Sequence, residues 1–399
     1  MSKPPSLHSF AQQRLLEELT EALGALDRQH LRRRLRTVEQ VDGVVMRVDG
    51  REVVNWCSND YLGLSMHPEV IDAAVRAAGA WGVGARASRL LAGTTQWHRT
   101  LEEALAAWFG VEAALVFPSG YLANLGVMGA LLSAEDLIVI DRLAHASLFD
   151  AARSTRATLR VFRHHDADHA ASFLARAGRA RRRLLVTEGV FSMDGDRAPL
   201  AALAEVAEGH EALLYVDDAH GAFVVGATGR GTPDAAGVAH ERLVYVATLG
   251  KALGCQGGFV IGPQALIEFL RSRSRVFLYT TALATPVAAA AAAALACLQA
   301  HPEFRETLRQ RIERLETAIG GLPGVASSPG AHIIPVILGH AAKAVEVAQQ
   351  LWEARIWAPA IRSPTVPEGT ARLRLSVTSR HTDAHVDALA QALRGVLGR

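Results

Sequence analysis

The 399-residue sequence predicts an α/β protein: a mostly parallel sheet covered on both faces, followed by a smaller α+β unit. Three observations carry that prediction. From about residue 100 onward, short and nearly continuous apolar runs alternate with helix-like stretches, the pattern of strands buried on both faces. Several of those runs end in polar residues, as expected where a parallel sheet presents a ligand beyond its carboxyl ends. After an alanine-rich stretch, Val287 to Leu298, the pattern changes to short strands mixed with two long helices.

In chain order, residues 8–37 read as a helix, with leucines at helical spacing and a basic cluster, RQHLRRRLR, on a solvated face or near an anionic substrate. GREVVNWCSNDYLGLS reads as a short strand running into a turn. The helices of the main unit are TLEEALAAWFG, YLANLGVMGALL and HAASFLARAGRAR; its strands are LIVID, LRVF, RLLVTEG, ALLYVDDAH, LVYVATLG and GGFVIG. The run from Val287 is too short to span a bilayer and reads as a buried helix. HIIPVILG, AKAVEVAQQLWEAR, IWAPAI, RLRLSVT and DAHVDALAQALRGVLG then form the α+β unit. The expected division is an N-terminal helix and arm over 1–50, a large domain over 51–285 and a small C-terminal domain over 286–399.

Composition narrows the functional classes. A net charge of +2 and half the residues apolar indicate a globular protein without a nucleic-acid or membrane partner. Cys57, Cys255 and Cys297 show no metal-like spacing, which suggests free thiols in a reducing compartment. The start, MSKPPSLHSFAQQ, has no apolar core of signal-peptide length, so the expected location is cytoplasmic.

Only three of the 42 basic side chains are lysines: Lys3, Lys251 and Lys343. Lys251 stands among small and apolar residues in ATLGKALGCQGG. Either it snorkels from a loop, or it is kept because a desolvated lysine, unlike arginine, can lose its proton and form an imine. In LLYVDDAHG, two adjacent acids close an apolar strand. They are a capped turn, a metal site lacking further converging ligands, or an acid that protonates a heteroaromatic nitrogen, with Asp217 in that role and His220 donating to an oxygen of the same ring. Ser119 and Gly120 open a helix, as an ordinary cap or as a phosphate site at the positive end of its dipole. Thr248 adds a hydroxyl three residues before the lysine. His145, just past LIVID, is structural or stacks on a cofactor ring. Arg372 and Arg374 share one strand face, on a solvated edge or gripping a carboxylate in two-pronged fashion. Together, an imine-capable lysine, a ring-nitrogen acid, a stackable histidine, a phosphate-binding helix start and a carboxylate-binding arginine are what pyridoxal 5′-phosphate (PLP) demands when it works on an amino acid.

With SNDYLGLS, FPSGYLAN, DRLAHASL, TEGVFSMDGD, VDDAHG, TLGKALG and IRSPTVPEGTARLRLS, the chain from about residue 30 resembles the α-oxoamine synthases. These fold-type I PLP-dependent transferases join an amino acid to an acyl thioester with loss of CO2. The resemblance implies a seven-stranded, mostly parallel sheet in the large domain. It also implies that Lys251 bonds to the cofactor aldehyde and moves the substrate α-proton, that Asp217 partners the ring nitrogen, and that His220 and Ser192 serve the ring and its oxygen. His145 would stack on the ring, and Ser119, Gly120, Tyr121 and Thr248 would cradle phosphate and ring. Thr280 would reach the phosphate of a neighbouring subunit, which implies a homodimer. Asn59 and Arg374 would hold the substrate carboxylate, with Arg362 in the loop lining the same pocket. Arg34 and the other N-terminal arginines are candidates for the far carboxylate of the acyl chain. IRSPTVPEGTARLRL and TEGVFSMDGDRAPL look like the family member that condenses L-alanine with a pimeloyl thioester, on CoA or a carrier protein. Glycine-using relatives are the alternative, and a non-catalytic binding subunit is the alternative from another class. One departure stands out: GVGARASRLLAGTT has Ala85, Arg86 and Ala87 where the family often carries small flexible residues. Cys255 and Gln256 fall near the lysine without an assigned role.

Overall fold

The computed structural model describes residues 10–326 and 328–398. Lys3, most of the N-terminal MSKPPSLHSFAQQ stretch and the first two residues of the expected long helix lie outside them. The helix that follows, Phe10–Arg28, is shorter than the sequence suggested. It stops because His30 takes a left-handed conformation, φ 56°, and the Leu31 N–H closes on the Leu26 carbonyl at 2.8 Å. The basic cluster therefore leaves the helix as an extended arm. None of the described helix residues is buried. The arm itself docks: Arg33 donates to Thr365 Oγ1 at 3.1 Å, and Arg362 donates to the His30 carbonyl.

The strands in chain order are β1 (Val38–Asp42), β2 (Val45–Val48), β3 (Arg51–Asn55), β4 (Ala113–Phe117), β5 (Leu137–Asp141), β6 (Thr158–Phe162) and β7 (Arg183–Glu188). They continue with β8 (Leu213–Asp217), β9 (Leu243–Thr248), β10 (Gly258–Gly262), β11 (Ile333–Gly339), β12 (Ile356–Trp357), β13 (Ala360–Ile361) and β14 (Ala371–Ser376). The central sheet has seven strands in the order β4-β10-β9-β8-β7-β5-β6, and only β10 runs against its neighbours. The six strands recognised in the sequence are all present. The seventh, β4, is the AALVF run that leads directly into the helix start at FPSG.

Alternation along these strands divides the core into two layers. Ile138, Ile140, Leu184, Val186, Tyr215, Val244 and Val246 face one layer, while Val139, Leu185, Leu214, Val216, Tyr245 and Ala247 face the other. Both faces are therefore covered, which is why the strand sequences read as continuous apolar runs. The alanine-rich helix, Thr285–Ala300, is buried against helices Pro68–Trp81 and Gln96–Phe109; its small side chains allow that approach. A three-stranded sheet, β11-β14-β13, and a second sheet in which β12 adds in parallel to the β1-β2-β3 meander complete the fold. Arg372 and Arg374 thus lie on a central strand, not a solvated edge.

Arg89 and Glu102 form a buried ion pair between the 82–95 segment and helix Gln96–Phe109. Two bonds of 2.9 and 3.0 Å join them, and Glu102 also accepts the Val116 N–H. Removing one partner strands a charge away from water. Glu102→Ala should lower unfolding free energy by about 3–5 kcal/mol, measured as a fall in the urea midpoint relative to an exposed control such as Glu313→Ala.

Candidate active site

Parallel strands bring their carboxyl ends together, and here those ends carry the chemistry. Glu188 closes β7 directly opposite Asp217, which closes β8; Thr248 closes β9. Lys251 sits on the turn between β9 and β10. That turn is tied down by Gly250 N–H donating to Thr248 Oγ1 at 3.1 Å, Thr248 Oγ1 donating to the Gly257 carbonyl at 2.7 Å and Gly254 N–H donating to the Lys251 carbonyl at 2.8 Å. Gly254, at φ 64°, lies so close to Ser65 that a Cβ would stand 2.3 Å from the Ser65 nitrogen. Glycine there is what lets the lysine turn press against the SNDYLGLS segment.

The Lys251 amine lies 2.7 Å from His220 Nε2, and His220 Nδ1 lies 2.6 Å from the Tyr61 hydroxyl. Burial pushes the Lys251 ammonium down to about 8, against the opposing pull of the Asp217 and Glu188 charges. Burial, reinforced by Lys251 and Arg374, holds His220 well below the usual histidine range, so the ring is neutral. Asp217 accepts from Asn124 Nδ2 at 2.6 Å and from the Ala219 N–H at 3.0 Å, and among the described residues no cationic side chain reaches it within ion-pair distance. Its neighbour Asp218 is engaged by Thr232 and Tyr245 instead, and burial raises it to about 7. The two acids of VDDAHG therefore separate: one packs a turn, the other is held by Asn124 and acts on Lys251 and His145 through its charge.

On the opposite wall, Arg374 is buried and donates to the Ser192 carbonyl, to Asn59 Oδ1 at 3.2 Å, to Ser376 Oγ at 2.8 Å and to the Tyr61 hydroxyl at 3.3 Å. All its partners are neutral, which leaves the guanidinium charge uncompensated. Arg372 points to Asp194 and the Met193 carbonyl instead. His145 caps helix Ala146–Ser154, its Nδ1 2.8 Å from Ser147 Oγ, and partial desolvation lowers its pKa. A cleft of about 990 Å³ joins these groups and is lined by Asn59, His145, Ser192, His220, Lys251 and Arg374 among others. Helix Gly120–Leu131 starts beside it: a Cβ on Gly120 would touch Thr248 at 3.4 Å, and Ser119 Oγ accepts the Leu122 N–H. The hydroxyl of Tyr121 donates to Asp150 at the rim.

Of the expected residues, Ser119, Gly120, Tyr121, Asp217 and Thr248 do not line the cleft, and three more lie outside it. Thr280 ends helix Arg275–Tyr279 and does not line it, nor do Arg34 and Arg362, although Arg33 reaches the cleft residue Thr365. Cys255 is a protonated thiol, raised by burial to about 12. In the departing segment, Arg86 holds φ 68°, a left-handed conformation that a glycine would take without strain.

Tyr61 and Asn124 were not singled out in the sequence, and Glu188 stood there only as one of the polar residues ending the apolar strands. Tyr61 bridges His220 and Arg374. Asn124 links Asp217 to Ser147 and accepts from Tyr215 at 2.7 Å; a lone amide inside the apolar helix YLANLGVMGALL was its visible signal. Glu188 is buried with one oxygen unpartnered, and burial together with the charge of Asp217 raises it well above the usual carboxylate range.

A family model for the class I and II aminotransferases matches residues 51–393, and the chain belongs to that family. Curated relatives are named 8-amino-7-oxononanoate synthase. One from Chromobacterium violaceum is 45% identical over 374 residues, 94% of this chain and 97% of its own length. One from Anaeromyxobacter dehalogenans is 46% identical over 96% of each chain. Among solved structures, a Sphingomonas wittichii serine palmitoyltransferase superposes with TM-score 0.89 at 31% identity over 98% of both chains. An 8-amino-7-oxononanoate synthase from Francisella tularensis gives TM-score 0.73 at 29% identity, over 86% of this chain and 98% of its own. A serine palmitoyltransferase described with PLP as an internal aldimine gives TM-score 0.90 at 28% identity, over 98% of both chains. The family resemblance and the fold class read from the motifs are both borne out.

With its pKa lowered to about 8, the Lys251 amine should be half unprotonated near pH 8 instead of near 10.5. Trinitrobenzenesulfonate labelling of the cofactor-free protein, followed by peptide mapping, should give a Lys251 midpoint near pH 8.

Proposed function

We propose that this protein is an 8-amino-7-oxononanoate synthase, a PLP-dependent acyltransferase that condenses L-alanine with a pimeloyl thioester, releasing CO2 and the free thiol. The observation that carries the reading is one cleft lined by a lowered-pKa lysine and a buried arginine without an anion, with a buried aspartate without a cation acting on that lysine through its charge. The chemistry of these groups is complementary to PLP bonded to an amino acid: the lysine and aspartate suit the aldehyde and ring nitrogen of PLP, and the arginine suits the carboxylate. The donor set therefore fits the cofactor.

When bound, PLP supplies an aldehyde that bonds to amines and a ring that accepts negative charge from the carbon beside that nitrogen. The rest is work for the chain. Asp217, held by Asn124 and the Ala219 N–H, keeps a proton on the ring nitrogen. His145 offers a flat ring on the cleft wall, while neutral His220 and Ser192 serve the ring oxygen. The N–H groups that open helix Gly120–Leu131, with Ser119 and Thr248, receive the phosphate at a positive helix end; Tyr121 borders them. Lys251 takes the proton from the alanine α-carbon and later returns it. Its lowered pKa suits both directions near neutral pH. Arg374 and Asn59 grip the alanine carboxylate until it leaves as CO2. Arg362 stiffens the loop at the cleft mouth by holding the arm at His30, and Arg34, in that arm, is a candidate for the far pimeloyl carboxylate. Thr280, outside its own cleft, is assigned to the phosphate site of a second copy in a homodimer. Among the described residues no helix is long and apolar enough to cross a membrane, in keeping with the cytoplasmic location proposed here.

Incubation of the PLP-loaded protein with L-alanine and pimeloyl-CoA should yield 8-amino-7-oxononanoate by mass, with equimolar thiol release. Glycine in place of alanine should be a poor substrate; the reverse preference would overturn the assignment. Lys251→Ala should lose more than the ~10²–10⁴-fold typical of one proton-transfer group, because the cofactor's covalent anchor goes with it.

Arg374→Ala removes a charge-assisted contact worth about 1.5–3 kcal/mol. It should raise the KM for L-alanine by roughly 10- to 100-fold, leaving the KM for the acyl thioester nearly unchanged, as steady-state kinetics would measure.

A further inference from the structure

Behind the cleft lies a second cluster of ionisable groups that the reaction does not touch. His164, two residues beyond β6, places Nδ1 2.9 Å from Asp141 Oδ1 and Nε2 2.9 Å from Asp196 Oδ2. Asp141 ends β5 and is buried; Asp196 belongs to the loop after β7. A neutral imidazole has one N–H, so it can satisfy only one of two acceptor-only carboxylates; two bonds need two donors, which is the imidazolium. The ring is clamped by other contacts too. His165 stacks on it with centroids 3.7 Å apart, and Phe191 meets it edge-on at 4.4 Å.

Each carboxylate also organises a loop that reaches the cleft. Asp141 accepts the Leu143 N–H at 2.8 Å and the His165 N–H at 3.1 Å, and its carbonyl accepts the Ala144 N–H; His145 comes next. Asp196 closes the other loop, its carbonyl accepting the Phe191 N–H at 2.9 Å. Between those two residues lie Ser192, whose carbonyl accepts from Arg374, and Asp194, which holds Arg372.

We propose that His164 is a positioning residue: as an imidazolium bridging Asp141 and Asp196, it fixes the His145 loop and the Ser192 loop against each other and so sets the two walls of the cleft. The inference rests on the function proposed above. The two carboxylates raise His164 to about 9, against the opposing effect of burial. In the folded protein the bridge is lost as pH rises through about 9, and because that value lies above the unfolded one the stability it contributes is fully present below about pH 6.5 and gone above about 9. The groups facing His164 are Asp141, Asp196 and His165, with Asp194 beyond His165; His165 itself is held low by burial and by the charge of His164.

The test compares the PLP-loaded wild type with Asp196→Asn, which keeps the volume and one hydrogen bond, and with His164→Asn. Three profiles are followed from pH 6 to 10: kcat, the visible absorbance of bound PLP and the thermal midpoint. We expect Asp196→Asn to move an alkaline limb near pH 9 to lower pH in all three profiles, and to cut kcat at least 10-fold at pH 8. Lys251 titrates in both proteins, so only the difference reports the bridge. A purely structural role would lower the thermal midpoint and leave the kcat and absorbance limbs of the folded protein where they were, which overturns the proposal. Zinc binding to the wild type at the His164, His165 and Asp196 cluster with submicromolar affinity, lost in His164→Asn, would also overturn it in favour of a metal site. Absorbance and unfolding need no turnover. If the wild type makes no amino ketone, the functional reading fails while these two profiles still decide the bridge.

Discussion

The central constraint on this protein is the placement of two carboxyl groups side by side at the ends of β7 and β8, out of water. Glu188 and Asp217 are opposite one another in the sheet register, so they cannot both carry charge cheaply. Burial and the charge of Asp217 push Glu188 well above the usual carboxylate range, while Asp217 takes the hydrogen bonds of Asn124 and Ala219. The amine of Lys251 then sits in a field that is negative nearby and dry overall, and the dryness prevails. Around this arrangement the polar residues form one connected network, running from Lys251 through His220 and Tyr61 to Arg374 and on to Asn59 and Ser192. Moving any member changes the surroundings of the amine.

Much of this was legible in the sequence because parallel strands advertise themselves. Buried on both faces, β5 and β7 to β9 are largely apolar runs, and the residue at each carboxyl end stands out by contrast. That contrast singled out Asp217, Thr248, His145 and Lys251 without any coordinates. The motif resemblance then extended the reading to Asn59 and Arg374, and the cleft unites both with the lysine.

What stayed hidden was partnership across long sequence distances. Tyr61 and His220 are 159 residues apart, and Asn124 and Asp217 are 93; no local pattern encodes such pairs. The division of labour between Asp217 and Asp218 depends on which way each side chain leaves the strand end, toward Asn124 or toward Tyr245. The N-terminal helix was overextended because arginine is a good helix former, and the chain's exit at His30 is set by a backbone turn that composition does not signal. Arg33, rather than Arg34, meets the cleft loop for the same reason: the arm is extended, and alternate residues face opposite ways.

The reversed strand β10 has a mechanical consequence. Parallel neighbours need a crossover of a dozen or more residues, whereas the chain returns from β9 to β10 directly, pairing Thr248 with Gly258. The backbone beneath the amine is thereby staked on both flanks and cannot swing. Whatever travel proton delivery demands must come from rotation about the four methylenes of one side chain, which makes its reach a matter of tether length alone.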